Sequence, residues 1–409
     1  VTIKKKNPIL RTRLPTLPPA ARSRVALGLT AAAALGRFEL QQCRDCGTVQ
    51  YPPREVCGKC LSVRLSWRAQ DDQGELLAAT VLHHSNDPFF RERLPWRLGL
   101  AKLACGPTVV AHLHADVPPA PAKLRIAARL DRAGQAVLVG LPDKENVNMA
   151  EDRQLREFSC DPKLRKALVT DGKSAVGQAL VRALAAAGAE LIWVGHAEPW
   201  KRLPGFDELQ KLSQVSLVPL DVTDSKNVRE LAAEIGAKVD ILVNNAEVHR
   251  SFGIANRQGV ETARAEMDVN YFGLLRLAQE FAPAMRARGA DGPASAVAWV
   301  NVLSIYALAN FPPHGTFSAS KAAAHSLAQC LRAEMRPSGV RVVNVFPGPV
   351  DDEWNQPLPP PKLAPAALAQ AIVKALRDGV EDVYPGDVAQ EWLERWRDNP
   401  KALEKELSS

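Results

Sequence analysis

The chain has 409 residues, 46% of them hydrophobic and 24% charged, which is the balance of an ordinary soluble protein with room for two or three separate cores. Its net charge of +7 would argue for nucleic acid or membrane if it were spread over the chain. Instead Lys4, Lys5, Lys6, Arg11, Arg13, Arg22 and Arg24 all precede the first acidic residue, Glu39, and equal the whole excess. A basic arm therefore leads a neutral body, as a solvated segment does.

Within residues 1–37 the run VALGLTAAAALG (25–36) is apolar between Arg24 and Arg37. It is too short to span a bilayer. It can be read as a signal-type apolar stretch or as an amphipathic helix packing on a neighbour. The Pro18-Pro19 pair before it and the cysteines after it favour the helix, and a cytoplasmic protein is expected. Next, residues 38–66 hold CRDCGTVQYPPREVCGKC, which spaces Cys43, Cys46, Cys57 and Cys60 as C-x2-C-x10-C-x2-C. Two residues between paired cysteines allow two knuckles to converge four thiolates on one tetrahedral ion, with Gly47 and Gly58 expected in the tight turns. Four soft ligands and no open position predict a structural Zn2+ site. Cys105, Cys160 and Cys330 have no such spacing and read as core thiols.

Residues 67–145 alternate short β-type runs with turns: GELLAATVLHH, WRLGLAKLACG, TVVAHLHA, KLRIAARL and QAVLVGL. Closely spaced short strands without a long helical pattern predict a small barrel. The cysteine knuckles, the YPPR between them, the preceding helix and LPWRLGLAKLACG together resemble an accessory family of thiolases and acyl-CoA aldolases. That family joins a zinc ribbon to an OB-fold, and the resemblance covers roughly residues 15–145. It implies a thiolase-like or aldolase partner and an OB-fold near the path of an acyl-CoA thioester. A ribbon with an OB-fold also fits nucleic-acid binding, for which HHSNDPFFRERLPWR (83–97) alone interleaves basic and aromatic residues. The charges of the region nearly cancel, so no nucleic acid is expected.

A polar linker with a short helix is expected over 146–165. From 166 to 409 the pattern becomes strand, helix, strand, helix, which predicts a Rossmann-type, doubly wound parallel sheet. The stretches KALVTDGKSAVGQALVRALAAAGAELIWVGH, LDVTD, ILVNNAE, MDVNYFG, VNVLS, FSASK and VNVFPGPVDD resemble the short-chain dehydrogenase/reductase family, in its motif order and spacing. The resemblance implies an NAD(P) site in which glycines let backbone approach the pyrophosphate. Asp171 and Ala175 stand where the first two glycines of that turn belong, and Gly177 is kept. Asp221 falls in the LDVTD motif, Glu247 replaces a glycine beside the nucleotide, and Asp352 replaces a threonine near the nicotinamide amide. The end of the second strand offers Gly195 and His196, which select neither NAD nor NADP.

The resemblance further implies a catalytic group at Asn270, Ser304, position 317 and Lys321. Position 317 is Phe317, which keeps the ring and loses the phenolic proton that the family uses as acid and base. Tyr306 and His314 are the two residues that could supply a displaced acid. The expected chain is thus a non-catalytic accessory or scaffold subunit of an acyl-CoA-processing complex. In it a pseudo-dehydrogenase domain binds itself or an active relative, NAD(P) is lost, and the zinc is structural. The second reading is an active NAD(P)-dependent 3-hydroxyacyl-CoA dehydrogenase fused to a thiolase adaptor.

Overall fold

In a computed structural model, residues 15–144, 147–197, 205–251, 253–256, 258–290 and 292–408 are described. Lys4, Lys5, Lys6, Arg11 and Arg13 of the basic arm lie outside them. The apolar run becomes helix α1 (Leu27–Ala34). Its Leu29 and Ala33 are buried in the same apolar cluster as barrel residues Leu76, Leu124 and Leu138. The neighbour on which this helix packs is its own barrel.

Strands β1 (Glu39–Cys43), β2 (Val49–Gln50) and β3 (Leu65–Ala69) form an antiparallel ribbon in the order β2-β1-β3. Next come β4 (Gln73–Leu82), a one-turn helix α2 (Pro88–Arg91), β5 (Trp96–Leu103), β6 (Thr108–Leu113), β7 (Ala122–Leu130) and β8 (Ala136–Pro142). The five strands close as β4-β5-β6-β8-β7, an OB-fold barrel whose β6–β8 pair is parallel. Inward-facing Leu76, Ala101, Val109, Leu113, Leu124 and Ile126 fill it, as the period-2 pattern requires. Two aromatic residues of the 83–97 loop turn inward rather than standing free for stacking. Phe89 and Trp96 are each 1% exposed, and the Trp96 indole N–H donates to His112 Nδ1 at 2.8 Å.

Residues 147–164 are not a solvated tether. Two 3-10 turns, Met149–Glu151 and Leu155–Phe158, replace the expected short helix. They bury Met149, Leu155 and Phe158 against Phe89, Trp96 and Val139 of the barrel.

The remaining chain alternates β9 (Lys166–Val169), α3 (Ala175–Ala186), β10 (Leu191–His196), α4 (Phe206–Leu209), β11 (Val215–Pro219), α5 (Ser225–Ile235) and β12 (Ile241–Asn244). It continues through α6 (Glu261–Met267), α7 (Leu274–Ala287), β13 (Ala298–Val302), α8 (Gly315–Met335), β14 (Arg341–Val345), α9 (Pro365–Asp378), β15 (Asp382–Val383), α10 (Asp387–Asp398) and α11 (Pro400–Leu407). The seven strands run parallel in the order β11-β10-β9-β12-β13-β14-β15. Apolar clusters cover both faces, which is why the strands read as continuous Val, Ile and Leu rather than as alternation. The order reverses between β9 and β12. Such a switch opens a crevice at the carboxyl ends of the strands.

Arg341, at the opposite end of β14, ties the two halves together. Its guanidinium donates to the carbonyls of Phe158, Leu130 and Asp131 at 3.2, 2.9 and 3.2 Å. A cavity of about 480 Å³ lies at this joint. Two of its arginines are committed to neighbours, Arg132 to the Gly289 carbonyl and Arg332 to Asp382. No helix among the described residues is long and apolar enough to cross a membrane.

Candidate functional site

The ribbon brings its four cysteines together. Cys43 and Cys60 place their sulfurs 3.6 Å apart, as do Cys46 and Cys57, and all four lie within 4.8 Å of one another. A tetrahedral zinc bonded to sulfur at about 2.3 Å needs edges of roughly 3.8 Å. The donor set fits that ion and leaves no position for water. In the first knuckle Gly47 takes φ +71°, and its N–H donates to the Cys43 carbonyl at 3.0 Å. The second knuckle differs from expectation. Leu61, not Gly58, takes the left-handed conformation at φ +61° and donates to the Cys57 carbonyl. Gly58 serves instead by giving its N–H to Gln50 Oε1. Of the remaining cysteines, Cys160 is buried, Cys105 is half-buried and Cys330 is exposed, so Cys330 is no core thiol.

At the switch point a cleft of about 250 Å³ gathers the loops after β9, β12, β13 and β14. After β9, Thr170 Oγ accepts the N–H groups of Asn245 and Ala246, while the Asn245 amide accepts from Asp171 N–H and donates to its carbonyl. Two adjacent loops are clasped in this way. A side chain at Gly177 would collide with the Asp171 carbonyl, so this glycine is kept for packing. The Asp171 carboxylate folds back onto its own loop and accepts from Lys173 N–H at 2.9 Å; burial pushes its pKa up. Ala175 is the exposed first residue of α3, and Ser174 caps that helix by accepting from Gly177 N–H. Gly195 abuts the Thr170 carbonyl, where a Cβ would press at 2.5 Å. That contact bars a side chain at position 195, and His196 ends β10. Asp221 accepts from Thr223 at both N–H and Oγ, and Asp352 accepts from the N–H groups of Trp354 and Asn355.

The catalytic positions converge, each with its own partners. Asn270 sits in a widened π-type turn, Asp268–Gly273. Its amide donates to the Val248 carbonyl at 2.8 Å and to Ser320 Oγ at 2.9 Å, and accepts from Val248 N–H. Ser304 caps a turn by accepting from Tyr306 N–H. Phe317 is 3% exposed, in the first turn of α8. Lys321, one turn on, is not a solvated residue on a helix face. It is 2% exposed, donates to the Val302 carbonyl at 3.0 Å and meets Glu247 Oε2 at 2.6 Å. Burial pushes the Glu247 carboxyl up, but the Lys321 ammonium and His249 outweigh it and hold the group down to about 2.

Neither displaced acid is well placed. Tyr306 is buried against Phe311 and Trp392, and burial raises its phenol further from neutrality. His314 does not face open cleft: it is 1% exposed and its Nε2 lies 2.8 Å from Ser251 Oγ. Burial, followed by the neighbouring His249, lowers it to about 4 despite Glu247. The residue that sequence reasoning missed is His249. Its Nδ1 lies 3.1 Å from Glu247 Oε1, and its ring centre is 4.8 Å from that of Phe317. The signal was available in NNAEVHR, because two residues apart on an extended chain share one side.

Comparison with known proteins agrees with this architecture. A model of the ChsH2 rubredoxin-like zinc ribbon domain matches residues 30–65. A model of the ChsH2 C-terminal OB-fold domain matches 67–135, and a short chain dehydrogenase model matches 165–362. An uncharacterized oxidoreductase of Staphylococcus aureus is 31% identical over 216 residues, which are 51% of this chain and 90% of that protein. A fatty acyl-CoA reductase of Acinetobacter baylyi is 30% identical over 232 residues, 54% of this chain and 75% of the relative. Among solved structures, a short chain dehydrogenase from Burkholderia cenocepacia in complex with NADP is 34% identical with TM-score 0.54, covering 61% of this chain and 99% of that one. The chain belongs to the short chain dehydrogenase family, and it carries a zinc ribbon and OB-fold of the ChsH2 type ahead of that domain.

Proposed function

We propose that the protein is an accessory subunit of an acyl-CoA-processing complex, in which the dehydrogenase-type domain serves assembly and performs no hydride transfer. The observation that carries this reading is the Glu247–Lys321 pair at 2.6 Å. The lysine is one of the family's four catalytic positions. Here its ammonium is held by a carboxylate that enters the cleft from a position where the family has glycine. A nicotinamide nucleotide would have to displace that carboxylate and strip a buried lysine of its counter-charge, which is strongly unfavourable. Asp171 and Asp352 add two further carboxyl groups to the same cleft, unfavourable beside phosphates. The residues present do not fit the cofactor.

The ribbon and barrel support the other half of the reading. Their likeness to the ChsH2 domains implies a thiolase-like or aldolase partner, and the dehydrogenase-type half offers a second surface for itself or an active relative. A second reading has specific support: the Burkholderia relative is solved with NADP, and the Acinetobacter relative is a fatty acyl-CoA reductase. It makes the chain an active 3-hydroxyacyl-CoA dehydrogenase. An assay of the zinc-loaded chain with 3-hydroxybutyryl-CoA and either NAD+ or NADP+ separates the two. No reduced nucleotide above the buffer rate is expected, and steady turnover would establish the second reading.

A further inference from the structure

The cleft keeps one ring nitrogen that the fold does not use and one hydroxyl that it uses only as an acceptor. His249 is 2% exposed, lines the cleft, and its Nε2 has no hydrogen-bond partner among the described residues. Ser304 is 5% exposed and lines the same cleft. Its oxygen accepts from Tyr306 N–H, and no described acceptor takes its hydroxyl proton. Leaving the imidazole nitrogen buried without a partner costs about 1–3 kcal/mol, which points to a ligand that satisfies it.

The histidine is also oriented for chemistry. Lys321, Glu247 and His249 form one chain, 2.6 Å and then 3.1 Å long at its two contacts. A carboxylate on Nδ1 fixes the ring proton there and leaves the Nε2 lone pair as the reactive end. The imidazole ring is packed beside Phe317, 4.8 Å between ring centres, where the family places its acid. Trp354 also lies against the imidazole, 5.7 Å between ring centres. Val248, Leu220, Val302 and Pro349 supply apolar wall, while Asp171, Asp221, Asp352 and Glu353 line other parts of the same cleft. A volume near 250 Å³ is below the usual range of about 300–1,000 Å³ for drug-sized sites, so it admits a short chain.

We propose that this cleft is a cofactor-independent acid–base site that reversibly dehydrates a short 3-hydroxyacyl thioester, with His249 Nε2 as the proton carrier and Ser304 Oγ as the donor to the thioester carbonyl. The thioester class rests on the reading of the ribbon and barrel given above. In the forward direction the C2–H bond breaks and its proton passes to Nε2. The electron pair becomes the C2=C3 bond as the C3–O bond breaks, and the leaving hydroxide takes the proton from Nε2 to depart as water. Ser304 stabilises the charge that develops on the carbonyl oxygen. Atoms and electrons balance without an oxidant, and the imidazole returns to its starting state.

The test uses the full, zinc-loaded chain with no nucleotide present, and the N-acetylcysteamine thioesters of 3-hydroxybutyrate and crotonate as probes. Absorbance of the conjugated thioester follows the reaction in both directions. The wild type is expected to hydrate the crotonyl probe well above the buffer rate. His249→Gln, which keeps a donor toward Glu247, should lose about 10^2-fold or more, and Ser304→Ala roughly 10^2-fold. If His249→Gln fails to melt cooperatively, Ser304→Ala carries the comparison. An inert wild type, or variants as active as the wild type, overturns the proposal while leaving the accessory reading intact. Nucleotide-dependent oxidation of the hydroxy probe would instead overturn the accessory reading.

Discussion

At the scale of residues, one exchange explains the cleft better than the missing tyrosine does. Phe317 removes an acid, but Glu247 also takes the lysine. Restoring the phenol alone should therefore fail: Phe317→Tyr is expected to raise 3-hydroxyacyl-CoA dehydrogenase activity by less than about tenfold, against the 10^2–10^4 that a positioned acid contributes. The same pair makes a pH prediction. Glu247 is held down to about 2, below its unfolded value near 4.5. Its ion pair thus contributes stability above that unfolded value and loses it as pH falls toward about 2. Glu247→Gln, which leaves Lys321 without its counter-charge, should destabilise the chain by about 2 kcal/mol at pH 7, a value reduced for a side chain that is 27% exposed. In urea titrations the difference from wild type should shrink below about pH 4.5. A constant difference down to pH 3 would show that the pair is not its source.

Among the elements, the ribbon illustrates how far spacing alone reaches. C-x2-C pairs fix which four sulfurs meet, because only nearby backbone is involved, and the cysteines indeed meet. The turn glycines were half legible. Gly47 was placed correctly, whereas the second knuckle puts Leu61 at φ +61° with 74% of its surface exposed. A left-handed leucine costs roughly 1 kcal/mol, so Leu61→Gly should stabilise the zinc-bound ribbon by about that amount, read as resistance to chelator. Metal analysis should find about one zinc per chain, and its removal should unfold the ribbon. The parallel strands and the barrel strands were also legible, through apolar runs and period-2 alternation. The state of Lys321 was not. Whether a helix lysine is solvated or paired depends on Glu247, which lies far off in sequence and reaches it only through the fold. Asn270 has the same lesson: its amide is spent on Val248 and Ser320, contacts that no local pattern encodes.

Over the whole molecule, the ribbon-barrel half and the dehydrogenase-type half are joined by buried polar contacts as well as by apolar ones. Arg341 serves three carbonyls, two from the end of the barrel and one from the 3-10 turn before β9. Arg341→Met would remove all three contacts, and of these acceptors the Asp131 carbonyl would still receive the Gly134 N–H. A loss of about 3 kcal/mol is expected, together with a melting transition that separates into two. A single transition at the wild-type temperature would mean that the joint does not depend on it. Helix α1 belongs to this same body, because Leu29 and Ala33 lie in the barrel core. Removing residues 1–37 should therefore destabilise the barrel itself, and a partner lost on that deletion would not by itself locate an interface.

Calorimetric titration of the zinc-loaded wild type with NADH and with NADPH bears most directly on whether Glu247 has closed the nucleotide site. No binding tighter than about 1 mM is expected for the wild type, and Glu247→Gly should tighten it by tenfold or more, about 1.4 kcal/mol. Micromolar binding by the wild type would contradict this reading and return the chain to the active dehydrogenases.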